Sequence, residues 1–252
     1  MPQNNTREAY DIWHREHGTL EPDDDPLRFP WYESVFREVA EFQPQRILEV
    51  GCGRGEFAIF LRRQFPDADI AGIDFSEAAI QIAAERSEKG EANVNFIRAD
   101  AENLPFDDET YDLVISCECM EHVHDPEKMA RELSRIARLG AKICLTTENY
   151  LNGMMVARFH SWLTGRPFNS GSGVQPRENL IFFWNVKRWL EKAGLSVERT
   201  ESCYYQWLLL PGIAPSRLCT NQFRKRWLRR FAKPFGRHFS FFARKVFPSN
   251  AA

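Results

Sequence analysis

The sequence predicts an α/β protein built on a doubly wound, mainly parallel sheet. Two observations carry this. Short apolar runs alternate with stretches of helical apolar spacing from Arg46 to Ser202, the pattern of successive βαβ units. The first run ends in a glycine-rich turn, and a long segment rich in Gly, Asn and Ser follows the fifth. Open α/β sheets bind ligands at such strand ends.

Each element has its own signal. Two helical stretches, about 7–17 and 31–42, flank an acidic, proline-rich loop at 21–26 and precede the sheet. RILEV at 46–50 is an apolar run stopped by glycine, hence a buried strand. Residues 57–65 have helical spacing and stop before Pro66. The second strand is 69–73. Ser76 N-caps a helix reaching about Glu88, with Gly90 as terminator. Strands three and four are 94–97 and 111–116. Asp125-Pro126 starts a helix with Met129, Leu133 and Ile136 on one face and Gly140 closing it. The fifth strand is 142–146, and the long segment 148–184 contains a helical stretch at 154–163. Asn185 caps a further helix, with Trp184 stapled to Trp189 and Gly194 at the end. The sixth strand is 195–202.

With 252 residues, 43% hydrophobic and 27% charged, the chain suits one globular domain with or without appendages. That balance excludes disordered, collagen-like and disulfide-scaffold classes. No apolar run reaches the roughly 18 residues that a membrane-spanning helix needs. The longest candidate, 207–214, is interrupted by Pro211 and Gly212. The polar, acid-bearing start reads as neither a secretory signal nor a transit peptide. Cys52, Cys117, Cys119, Cys144, Cys203 and Cys219 are sparse, and several fall in predicted strands. Reduced thiols and a cytoplasmic location are therefore expected.

The net charge of −2 conceals a split. No acid follows Glu201, whereas ten Lys or Arg do, so the first 201 residues carry −12 and the last 51 carry +10. A basic end of this kind meets the acidic body, a membrane surface or nucleic acid, or is simply solvated.

The stretch EVGCGRG, residues 49–55, follows the first strand and opens a helix. Its glycines let the backbone turn sharply and approach a ligand without Cβ clashes. The spacing departs from the dinucleotide fingerprint G-x-G-x-x-G, because position 56 is Glu56. Asp74, ending the second strand, can accept both hydroxyls of a ribose. Asp100, after the third, can receive the amino group of an adenine. Glu49, Asp74 and Asp100 stand 25 and 26 residues apart, one per strand end.

With these features, residues 46–147 resemble the class I S-adenosylmethionine-dependent methyltransferases. The stretches ILEVGCGRGEFAIFL, AGIDFSEAAI and RADAENLPFDDETYDLVIS carry the resemblance, together with the pair Glu121-His122. It implies a Rossmann-like sheet of seven strands, mostly parallel, with an antiparallel last strand between the fifth and sixth. It implies S-adenosylmethionine as cofactor, with Glu49, Gly51, Cys52, Gly53 and Gly55 along its methionine and ribose. Asp74 would hold the ribose hydroxyls, Phe75 would lie against adenine, and Asp100 and Ala101 would flank the adenine amino group. The backbone at Cys117 would face the methionine end. The pattern also makes 238–246 the seventh strand and 217–233 an inserted helix. A methyltransferase domain then spans 46–252, with insertions near 148–184 and 203–236, after a helical preface at 1–45.

Within the inserted helix, Phe223, Trp227 and Phe231 recur every four residues, with Phe235 beyond Pro234. Arg224, Lys225, Arg226, Arg229 and Arg230 take the other flank. An aromatic stripe packed on the domain, an interfacial membrane helix at 217–236 and a nucleic-acid contact all fit that composition.

A second constellation is Glu118, Glu121 and His122. If the chain turns helical after strand four, these positions share one face, and two carboxylates and an imidazole can meet a divalent cation. The spacing resembles metal-dependent small-RNA 3′-end methyltransferases and polyprenyl-quinone O-methyltransferases. The RNA enzymes add a histidine beyond strand five, and 176–184 here has none. The favoured reading is His122 as a general base near the sulfonium, with metal binding and a merely structural histidine as the alternatives. Transfer to a hydroxyl gains from a base with pKa near 7, which imidazole supplies. His160 and Tyr150 are weaker candidates. No Asn-Pro-Pro-Tyr type sequence of nucleic-acid amine methyltransferases is present, and the body is acidic, so nucleic acid is disfavoured as substrate. The expected activity is O-methylation of a small or lipid-linked acceptor, such as a saccharide or quinone precursor. A cofactor-binding protein without transfer activity and a metal-dependent enzyme acting on RNA ends are the alternatives.

Overall fold

The computed structural model describes residues 7–17, 25–90, 92–151, 153–167, 175–205, 216–219 and 225–247. Its strands are β1 (Arg46–Val50), β2 (Asp69–Asp74), β3 (Asn95–Arg98), β4 (Tyr111–Cys117), β5 (Ala137–Glu148), β6 (Leu195–Tyr205), β7 (Ser216–Cys219) and β8 (Gly236–Lys245). They form one sheet in the order β3-β2-β1-β4-β5-β8-β6-β7. The five strands from β3 to β5 pair in parallel, and β8 lies antiparallel between β5 and β6. The helices are α1 (Arg7–Glu16), α2 (Pro30–Val39), α3 (Glu56–Gln64), α4 (Glu77–Lys89), α5 (Pro126–Ile136), α6 (Gly153–Thr164), α7 (Phe183–Lys192) and α8 (Arg226–Ala232).

The first strand shows why the sheet is covered on both faces. Ile47 enters a core with Val35 and Val39 of α2 and Phe57 and Leu61 of α3. Leu48 and Val50 enter another with Met129 and Leu133 of α5 and Val186 and Leu190 of α7. Successive strand side chains point to opposite faces, and every one of these residues is fully buried. Each such burial is worth roughly 1.5–3 kcal/mol. The N-terminal helix α2 therefore belongs to the same core as the sheet.

Two expected caps form as local chemistry dictates. Ala79 N–H donates to the Ser76 hydroxyl at 3.1 Å, and Lys128 N–H to the Asp125 carboxylate at 3.0 Å. Three boundaries differ. Helix α5 ends at Ile136, not at Gly140, because the Arg135 and Ile136 carbonyls accept from Glu109 and Thr110 and Ala137 pairs with Tyr111. Helix α7 begins before Asn185, whose own N–H already bonds the Phe182 carbonyl at 2.9 Å. Trp184 is 55% exposed and staples nothing, whereas the Phe183 ring contacts those of Phe239 and Phe241 at 5.1 and 5.2 Å.

The seven expected strands are joined by an eighth. Residues 217–233 do not form one helix: Arg217–Cys219 lies in β7, and α8 is seven residues long, followed by a 3₁₀ turn at Lys233–Phe235. Strand β6 runs on to Tyr205, and its outer edge presents backbone groups that pair with β7. That pairing outcompetes helix at 217–219. Phe223, Arg224 and the apolar run 207–214 lie outside the described residues.

Candidate active site

The C-terminal ends of the parallel strands meet at one edge, and β8, running the other way, begins there. Gly51 opens the turn after β1 at φ 76°, where a Cβ would meet the Cys119 Sγ at 2.5 Å. The N–H groups of Gly51 and Cys52 both donate to the Ile73 carbonyl at 2.8 Å, pinning the turn to β2. Asp74 then accepts from Gly53 N–H and Ser76 N–H, one per oxygen, each at 2.9 Å. Each oxygen keeps capacity for a further donor.

Two cavities open at this edge. The first, about 200 Å³, is lined by Gly51, Asp74, Phe75, Asp100 and Ala101. The second, about 340 Å³, is lined by Tyr32, Glu121, Glu148, Tyr204 and His238, among others. Tyr10, Gly51, Glu118 and His122 line both. Cys52, Gly53 and Cys117 line the second rather than the first. Glu49 and Gly55 line neither. Glu49 is buried, and burial together with the charge of Glu56 pushes its carboxyl well above the usual range. A Cβ on Gly55 would stand 2.7 Å from Phe96 and 2.9 Å from Ala83, so this glycine serves close packing.

After β4 the chain makes a 3₁₀ turn at Met120–His122 rather than an α-helix, and Glu118 precedes it at φ 50°. Glu118, Glu121 and His122 therefore share no α-helical face, and among the described residues they do not gather as a metal-ligand set. Glu121 turns inward, accepting from the Thr147 hydroxyl at 2.7 Å and from Glu148 N–H at 3.3 Å. The His122 Nδ1 bonds the Arg177 carbonyl at 2.7 Å. A carbonyl only accepts, so Nδ1 carries the proton and Nε2 is left as the acceptor. Burial pushes the carboxyls of Glu118, Glu121 and Glu148 up to about 7, with the Glu118 charge adding to the rise at Glu121. Burial also pulls the His238 imidazole down to about 4.

The weaker candidates separate. Tyr150 is fully buried under Arg158, and His160 is exposed on α6; neither lines these cavities. Several lining residues escape sequence reasoning. Helix α1 docks on α4 through Asp11, which accepts from the Ser76 hydroxyl at 2.6 Å and Ala78 N–H at 3.0 Å. That docking brings the Tyr10 ring against Phe75 and its hydroxyl to the His122 carbonyl at 3.1 Å. It also sets His14 Nε2 3.9 Å from Asp74. Glu148 and His238 are direct cross-strand partners of β5 and β8. Glu148 had a signal, as the last residue of a parallel strand; His238 becomes visible only once the register is known. Glu118 and Tyr204, both at positive φ, place backbone strain on the second cavity.

Residues 47–140 match the family described as "Methyltransferase domain". Over that stretch the chain is similar to methyltransferase domains. A stretch of 131 residues is 34% identical to norajmaline N-methyltransferase of Rauvolfia serpentina, covering 51% of this chain and 43% of that one. A stretch of 185 residues is 28% identical to the ubiquinone biosynthesis O-methyltransferase of Coxiella burnetii, covering 71% and 74%. The chain spans about half the length of the first curated relatives it matches. A structure described as a possible histamine N-methyltransferase from Thermotoga maritima superposes with a TM-score of 0.58 at 19% identity, over 94% of this chain and 93% of that one. At that identity the likeness concerns the fold alone.

Proposed function

We propose that this protein transfers the methyl group of S-adenosylmethionine to a hydroxyl of a small or lipid-linked acceptor, such as a saccharide or quinone precursor. The observation that carries the reading is the place of His122, which lines both cavities and keeps Nε2 as its acceptor nitrogen. The smaller cavity fits the cofactor: Asp74 retains capacity for ribose hydroxyls, with Phe75, Asp100 and Ala101 around it. When bound, the cofactor supplies a methyl group already activated on a sulfonium. The chain then has to orient the acceptor, exclude water and remove one proton. His122 takes that proton from the hydroxyl at Nε2, held in the required tautomer by Arg177.

The larger cavity suits a neutral, donor-bearing acceptor. Glu56, Glu118, Glu121, Glu148 and Glu178 line it together with Arg54, Arg237 and aromatic rings, a net acidic wall that disfavours a polyphosphate chain. This supports a small molecule over nucleic acid. On α8, Trp227 and Phe231 are 64% and 67% exposed, beside exposed Lys225, Arg226 and Arg230. That face supports an anionic membrane surface as partner. No helix among the described residues is long and apolar enough to cross a membrane. The free thiols of Cys52, Cys117, Cys119 and Cys144 support a cytoplasmic location.

The test is incubation with methyl-labelled S-adenosylmethionine and a metabolite extract, followed by mass spectrometry of labelled products. Label on an oxygen is expected. Label on nitrogen would overturn the acceptor class, and cofactor binding without any labelled product would leave a binding protein.

A further inference from the structure

A second set of ligating side chains stands across the larger cavity. One ligand-type atom from each of Glu118, Glu148 and His238 lies within 4.8 Å of the other two. They come from the turn after β4, the end of β5 and the start of β8. Glu148 and His238 are paired across the strands, so they project from one sheet face. Two of their oxygens, Glu118 Oε1 and Glu148 Oε2, are buried without a hydrogen-bond partner. Glu148 is 7% exposed. A buried carboxylate oxygen left unbonded is costly, and native proteins seldom leave one so without a ligand.

The remaining atoms are engaged. His238 Nδ1 donates to Glu118 Oε2 at 2.7 Å, and Arg237 donates to Glu148 Oε1 at 3.1 Å. The cavity is lined by the carboxyl groups of Glu56, Glu118, Glu121, Glu148 and Glu178 and the guanidinium groups of Arg54 and Arg237, an acidic excess that a doubly charged ion offsets. The Trp31 and Tyr204 rings lie 4.7 and 5.6 Å from the His238 ring and hold it in place. We propose that Glu118, Glu148 and His238 form a binding site for a divalent first-row transition cation. Two carboxylates and an imidazole suit manganese, cobalt or zinc better than magnesium or calcium, which prefer oxygen throughout. The cation replaces the proton between His238 and Glu118 and takes up both open oxygens. This inference does not depend on methyl transfer.

The test uses the full chain, stripped with a chelator and titrated with cobalt(II), reading the visible absorption bands, with equilibrium dialysis against manganese and zinc. Roughly one equivalent is expected to bind. Glu148→Gln and His238→Ala should each weaken binding about tenfold or more, with the far-UV spectrum kept. In the cobalt-loaded wild type, the His238 ring protons should be hyperfine-shifted, a readout that needs no variant to fold. Absence of binding at millimolar metal, unchanged binding in both variants, or an unshifted His238 would overturn the site and make the open oxygens contacts for the acceptor itself.

Discussion

Asp74 reaches the first cavity already held by the N–H groups of Gly53 and Ser76, so its two oxygens meet a ligand without rearranging. With the cofactor in the proposed place, Asp74→Ala would remove charge-assisted bonds to ribose hydroxyls, each worth roughly 1.5–3 kcal/mol. Calorimetry should show affinity for the demethylated cofactor falling about tenfold or more per bond; unchanged affinity would place the cofactor elsewhere. Residues whose role is set by their neighbours in the chain were legible in the sequence. Ser76 and Asp125 cap helices within three residues of themselves. Asp74 follows an apolar strand. Glu49 sits at the expected spacing, and its side chain enters the interior.

At the scale of elements, α8 is shorter than its sequence pattern suggests, and its aromatic side is open. Helices of this kind bind by apolar burial plus attraction to anionic lipid, and salt screens the second part. The protein is expected to co-sediment with anionic but not neutral vesicles, less so at high salt. A Trp227→Ala, Phe231→Ala double variant should lose vesicle binding while keeping its melting temperature. Wild type that ignores anionic vesicles would assign the face to another partner. The strands and helices of 46–148 were legible because burial on both faces leaves continuous apolar runs. Strand β7 was not, since edge pairing with β6 depends on a distant backbone and leaves no periodic mark. The basic tail was read as one block, yet it divides. Arg237, Arg244 and Lys245 of β8 pair with Glu148, Glu198 and Glu109, whereas α8 keeps exposed cations.

For the whole molecule, the buried carboxyls make stability depend on pH in an unusual direction. Glu118, Glu121 and Glu148 are raised from 4.5 to about 7 in the folded state. Between these values the folded chain holds more protons than the unfolded one, so stability falls as pH rises through the window. His238, lowered from 6.5 to about 4, acts oppositely over its own window, where the unfolded chain binds the proton. Three carboxyls outweigh one imidazole, and from pH 6.5 to 7 only the carboxyls act. Melting between pH 5 and 7 should therefore show a decline that Glu121→Gln makes shallower; an equal slope in the variant would contradict this origin. The cluster also explains what the sequence could not reveal. Glu118, Glu148 and His238 are brought together by sheet order, which places β8 between β5 and β6.

The central claim, that His122 is the base where the cofactor and acceptor cavities meet, is tested most directly by measuring two quantities on His122→Ala. One is turnover with labelled cofactor; the other is affinity for the demethylated cofactor. Turnover should fall by about 10²–10⁴ with affinity nearly intact, the usual range for a positioned acid or base. Turnover equal to wild type, or an equal loss in both quantities, would contradict it.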